Sequence, residues 1–226
     1  MAARRGGRYY APMTTIASSI LIGARGYTHG CWRGPFYPAD LPPEWRFLFY
    51  SHRYPALLLP ARAWGADLGR IAPFADEAPP DFRLVLEVPE KALAQLAQRE
   101  EWPRPLVAAC LVRLARFTSA HAGPLRVLAQ RVPVSVDVRV GSKACQAELA
   151  GLGAGLCGRP AAGRSPAGPF ALSLVDRIDR RGVAQALREL AAVSAPAGSA
   201  LFFQDAATAL RGVDEALLLA GLLAGS

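Results

Sequence analysis

The stretch Leu106-Val107-Ala108-Ala109-Cys110-Leu111-Val112-Arg113-Leu114 decides how the chain is read. An unbroken apolar run over 106–112 suits a strand buried on both faces of a parallel sheet. Leu106, Val107, Cys110, Leu111 and Leu114 also share one helical face, with Arg113 and Arg116 opposite, and periodicity alone favours a helix. Outward from this ambiguous segment, strand-like runs occupy residues 20–24, 56–59, 83–88, 134–140, 170–175 and 200–204, each apolar and bounded by Gly, Pro or charge. Helical patterns fall over 43–53, 91–101, 183–193 and 207–223. Residues 150–168, rich in Gly, Ala and Pro, suit a short strand around 154–157 followed by an irregular loop. Strands alternating with helices imply a parallel sheet with crossover connections.

The 226 residues are 52% hydrophobic and 19% charged, enough for one sizeable core, which excludes a disordered chain and a small disulfide scaffold. A single domain over 13–226 is expected, preceded by an arm or over-extended start at 1–12 that lacks apolar periodicity. The net charge of +8 comes almost wholly from 24 arginines against two lysines, a bias that GC-rich coding produces without selection for a ligand. No continuous basic stripe emerges, so nucleic-acid binding is not favoured; its best local support is Arg4, Arg5 and Arg8 beside Tyr9 and Tyr10. Thr14, Thr15, Ser18 and Ser19 interrupt the apolar core that a secretory signal needs, and the apolar tail 216–224 is too short to span a bilayer. Cys31, Cys110, Cys145 and Cys157 have no zinc-like spacing and read as buried free thiols of a cytoplasmic protein.

The run 22–38, Ile-Gly-Ala-Arg-Gly-Tyr-Thr-His-Gly-Cys-Trp-Arg-Gly-Pro-Phe-Tyr-Pro, resembles the opening signature of the YecE-like proteins, the domain of unknown function 72 family. There a first strand ends in an I-G-T-S-G-W-like turn, and W-R-G-x-F-Y-P precedes a helix that begins near a Trp, here Trp45. Val136-Asp137-Val138-Arg139 looks like the family's V-E-x-R strand, and Leu201-Phe202-Phe203-Gln204-Asp205 like its last strand. The resemblance implies an α/β fold, a TIM-like (β/α) barrel that is irregular over residues 104–170, with 106–111 as its fourth strand. It also implies departures. Leu58 stands where the family has an acidic residue on the second strand, and Glu87 where it has Lys on the third, as if an ancestral pocket had eroded.

In such barrels the reactive groups sit at the carboxyl ends of the strands. Candidates for a catalytic role are His29 as general base and Asp137 as base or carboxylate partner. Candidates for ligand binding are Arg25, Tyr27, Trp32, Tyr37, Arg139, Gln204 and Asp205. Asp137 and Arg139 are two apart and face the same side of their strand, either as an anion clamp or as a satisfied ion pair. The aromatic residues can stack a ligand or plug the loop against the next helix. The reading that follows is a binding or scaffold protein with little turnover. A hydrolase acting on a phosphate-bearing or sugar substrate is the alternative, and non-specific nucleic-acid binding comes third. A small anionic ligand is the expected partner; no cofactor, metal or membrane is implied, and the oligomeric state is open.

Overall fold

The ambiguous segment is a strand. In the computed structural model, which describes residues 20–140, 143–176, 178 and 180–224, β4 (Val107–Arg116) pairs in parallel with both neighbours, placing Leu86 beside Cys110 on one side and Val136 beside Val112 on the other. Its helical periodicity is a by-product of a continuous apolar run, which fits any period; burial on both faces is what the run encodes. The other strands are β1 (Leu21–Arg25), β2 (Ala56–Leu59), β3 (Arg83–Pro89), β5 (Val134–Val140), β6 (Gly155–Leu156), β7 (Ala171–Val175) and β8 (Ser199–Phe203). The arm expected over residues 1–12 lies outside the described residues.

The eight strands are all parallel and hydrogen-bonded in the order β6-β5-β4-β3-β2-β1-β8-β7. This is a TIM-like α/β barrel with one unsealed seam, between β6 and β7. Helices α1 (Arg46–Arg53), α2 (Ala61–Trp64), α3 (Ala72–Glu77), α4 (Leu93–Ala97), α5 (Ser119–Arg131), α6 (Lys143–Gly151), α7 (Arg180–Ala192) and α8 (Ala209–Ala224) fill the crossovers, and only the β6–β7 connection has no α-helix. That connection carries a single 3-10 turn, Pro160–Ala162. Among the described residues the seam is spanned only by an isolated parallel bridge just past β6, in which Gly158 N–H donates to Leu172 O (2.7 Å) and Leu174 N–H donates to Gly158 O (3.0 Å). Among the described residues no helix is long and apolar enough to cross a membrane.

Side chains alternate in and out along each strand. The inward rows, among them Leu58, Val85, Leu111, Cys157, Leu174 and Phe202, make one buried cluster that fills the barrel. The outward rows, such as Leu57, Leu84, Val112 and Val136, join the helices in a larger second cluster. One two-residue step further toward the carboxyl ends, the inward rows change from hydrocarbon to Arg25, Glu87, Arg113, Asp137, Arg159 and Gln204. Leu58, fully buried, pairs with Val85 on one side, not with Glu87, and with Arg25 on the other, so it lies at the boundary and not beside Glu87.

At the base of the seam Gly168 has φ +102°, and a Cβ there would lie 2.3 Å from the Gly155 Cα. Gly163, at φ +62°, has open space around it. Gly168→Ala is expected to lower unfolding free energy by about 3 kcal/mol, and Gly163→Ala by only about 1 kcal/mol, since it meets conformational strain alone. Urea denaturation of the two variants measures the difference.

Candidate functional site: an arginine-lined barrel mouth

The polar ends of the inward rows surround a cavity of about 790 Å³. Arg25, Glu87, Arg113, Asp137, Arg139, Arg159, Arg164 and Gln204 line it, with apolar atoms from Leu114, Ala115, Val138 and Ala162. Five arginines against two carboxylates give the lining a formal +3.

Asp137, on β5, is the hub. Its side chain is 7% exposed and accepts four hydrogen bonds. Arg113 Nη1 (2.6 Å) and Arg159 Nη2 (2.6 Å) donate to Oδ2, while Arg159 Nε (3.0 Å) and Arg164 Nη2 (2.6 Å) donate to Oδ1. Arg159 continues across the seam to Asp176, just past β7, at 3.0 and 3.2 Å. Arg113 Nη2 donates to Gln204 Oε1 (2.6 Å), and Gln204 Nε2 donates to Asp176. On the other flank Arg25 holds Glu87 through two bonds of 2.7 and 3.0 Å, with Arg113 3.7 Å from the same carboxylate. The network thus links the carboxyl ends of every strand but β2. Charge-assisted, two-pronged bonds of this kind fix geometry as well as charge.

Burial alone would raise the Asp137 pKa. The hydrogen bond from Arg159 and the charges of Arg159, Arg113 and Arg164 overcome it and hold the carboxyl down at about 2. Asp137 is therefore a fixed anion and a poor base at neutral pH. Burial pushes the Cys157 thiol well up, so this inward cysteine is no nucleophile either.

The expected site residues divide into two groups. Arg25, Asp137, Arg139 and Gln204 meet in the cavity. Asp137 and Arg139 do face the same side, but the carboxylate pairs with Arg113, Arg159 and Arg164, because residues from neighbouring strands and from the β6–β7 connection reach it. Arg139 is exposed and has no ion-pair partner among the described residues. His29 does not join the cavity lining; its Nε2–H donates to Arg25 O (2.8 Å) and its ring lies 4.6 Å from that of Trp32. Asp205 instead accepts from Ala207 N–H and the Thr208 hydroxyl in the turn leading into α8.

The aromatic residues plug the first loop against α1. Trp32 stacks on Tyr50 and donates to Ala206 O (2.6 Å), and the buried Tyr37 hydroxyl donates to Tyr27 O (2.7 Å). Tyr27 itself packs edge-on to Phe47 and Phe74. Of the four cysteines, Cys110, Cys145 and Cys157 are buried, whereas Cys31, in the turn of this loop, is exposed.

Arg113, Arg159, Arg164 and Asp176 are absent from the residues that sequence reasoning selected. Arg113 is hidden because its segment reads as either helix or a strand ending at 111, and Arg159 and Arg164 by a connection without periodicity. Reading 106–116 as a strand would have placed Arg113 inward at its carboxyl end. Among the described residues no group of three or more His, Cys, Asp or Glu is placed to hold a metal ion.

Compared with known proteins, the chain matches no family model, no curated protein and no solved structure. The barrel fold accordingly rests on the strand order and registers alone.

Because the Asp137 pKa is lower folded (about 2) than its ordinary 3.8, the carboxylate contributes stability that is present above about pH 4 and lost as pH falls toward 2. The contribution is about 2 kcal/mol. Urea midpoints measured from pH 6 down to pH 2 are expected to show wild type losing its advantage over Asp137→Asn across that window, with the variant less stable by about 3 kcal/mol at neutral pH because three guanidiniums lose their anion.

Proposed function

We propose that this protein is a divergent YecE-like barrel that binds a small polyanion, a phosphate ester or a polycarboxylate, in its arginine-lined mouth without turning it over. The observation that carries this reading is the charge balance: the lining keeps a surplus of +3 after its two carboxylates are counted, and Arg139 faces the cavity without an ion-pair partner among the described residues. Guanidinium forks match carboxylate and phosphate oxygens, and a volume of about 790 Å³ suits a small-molecule ligand.

Binding is favoured over hydrolysis because neither proposed base is positioned for the work. Asp137 is saturated by arginines, and His29 gives its Nε2–H to a backbone carbonyl outside the cavity lining. Among the described residues no aromatic side chain lines the mouth, which speaks against a stacked nucleobase and for a ligand with an aliphatic or inorganic body. Glu87, the residue that departs from the family pattern, is held by Arg25, so the charge reversal there is a rewired pair, not a stranded ion.

Isothermal titration at low salt with inorganic phosphate, citrate and adenosine monophosphate tests the reading. One site with a dissociation constant in the micromolar to millimolar range is expected for phosphate and citrate, weakened about tenfold by Arg139→Ala. Adenosine monophosphate is expected to bind no more tightly than phosphate. Absence of binding by both phosphate and citrate would sink the proposal, and rapid turnover of phosphate esters would replace it with the hydrolase reading.

A further inference from the structure

The β6–β7 connection does more than replace a helix. Residues 158–166 fold back over the mouth as a hairpin in which Arg159 N–H donates to Arg164 O (2.6 Å) and Arg164 N–H donates to Arg159 O (3.1 Å), around the Pro160–Ala162 turn and Gly163. Its base is fixed by backbone: Leu156 and Ala167 exchange bonds of 2.8 and 3.0 Å, and Gly168 packs directly on Gly155. The tip is held differently. Arg159 and Arg164 reach Asp137 and Asp176, and Arg164 Nη1 also donates to Val138 O (2.5 Å).

These tip contacts are electrostatically incomplete. Three guanidiniums converge on Asp137; Arg159 also meets Asp176 and Arg113 lies 3.7 Å from Glu87, but Arg25 already claims Glu87, so repulsion among the clustered cations is only partly offset. The Nε–H groups of Arg113 and Arg164 are buried with no acceptor, which marks a site with more donors than acceptors. An added anion in the mouth supplies negative charge and acceptor oxygens together, and both act on the residues that tether the hairpin.

We propose that residues 159–166 are a ligand-responsive strap, hinged after the bridged Gly158, which an oxyanion seated in the mouth locks down through Arg159 and Arg164. The inference rests on the anion-binding reading above and adds to it a coupling between occupancy and closure. Because Arg159 and Arg164 flank the hairpin and also line the cavity, the ligand stabilises the closed strap by the same bonds that bind it. The pinned base confines the motion to the tip, and the backbone bonds between Arg159 and Arg164 report it.

Hydrogen–deuterium exchange of the peptide spanning residues 158–168, at constant ionic strength with and without saturating inorganic phosphate, tests the coupling. Exchange is expected to slow about tenfold with phosphate, while the α8 peptide is unchanged. Arg164→Gln, which keeps the hairpin backbone and removes the charge, is expected to abolish the slowing. Calorimetric phosphate binding with unaltered exchange would overturn the strap and leave the binding reading intact. Protection that persists in Arg164→Gln would overturn the tethering role of Arg164, and no calorimetric binding at all would remove both readings.

Discussion

One carboxylate shared by three guanidiniums governs the upper half of this barrel. The interior below it is mostly hydrocarbon, with Ser135 buried beneath Asp137, and a parallel barrel must end that apolar interior somewhere before water is reached. Here the boundary is a layer of ions, and Asp137 is the residue to which the others are referred. Removing one member of a buried ionic cluster strands its partners at a cost of about 3 to 5 kcal/mol, so the layer is conserved in geometry by its own energetics. It also acts where the backbone does not. The β6–β7 ladder is reduced to a single bridge, and Arg159 spans that gap from Asp137 to Asp176.

The same construction leaves the carboxylates of the mouth poorly suited to acid–base chemistry. A general base needs an available lone pair and a pKa near the working pH. Asp137 has been driven the other way, to about 2, and Glu87 is claimed by Arg25. The arginines that enforce this leave the lining a formal surplus of positive charge. Structural cohesion and the proposed anion recognition would thus share one arginine-rich arrangement.

Much of this fold is legible in the sequence, because strands buried on both faces appear as compact apolar runs. Residues 56–59 and 134–140 match β2 and β5 end to end, and the other four runs first read as strands match within a residue at each end. The helix at 119–131 is not legible: His121, Gly123 and Pro124 interrupt its pattern, and it is held by a capping box at Thr118 and by burial of Leu125 and Leu128. The site was half legible. Alternation correctly places Asp137 and Arg139 on one side of β5, and the strand-end rule picks out Arg25 and Gln204. Which groups meet Asp137 depends on the register between strands and on a Gly- and Pro-rich connection, and neither leaves a periodic trace. The register also explains why Leu58 and Glu87 are not neighbours at the rim, although each lies on an inward row.

The most direct measurement is an anomalous diffraction map from crystals soaked in tungstate, a tetrahedral oxyanion that can be located without prior assumptions. A peak is expected inside the mouth within bonding distance of Arg139, with Arg113, Arg159 and Arg164 still on Asp137. A mouth empty of tungstate, with those arginines turned out to solvent and Asp137 unpaired, would contradict it.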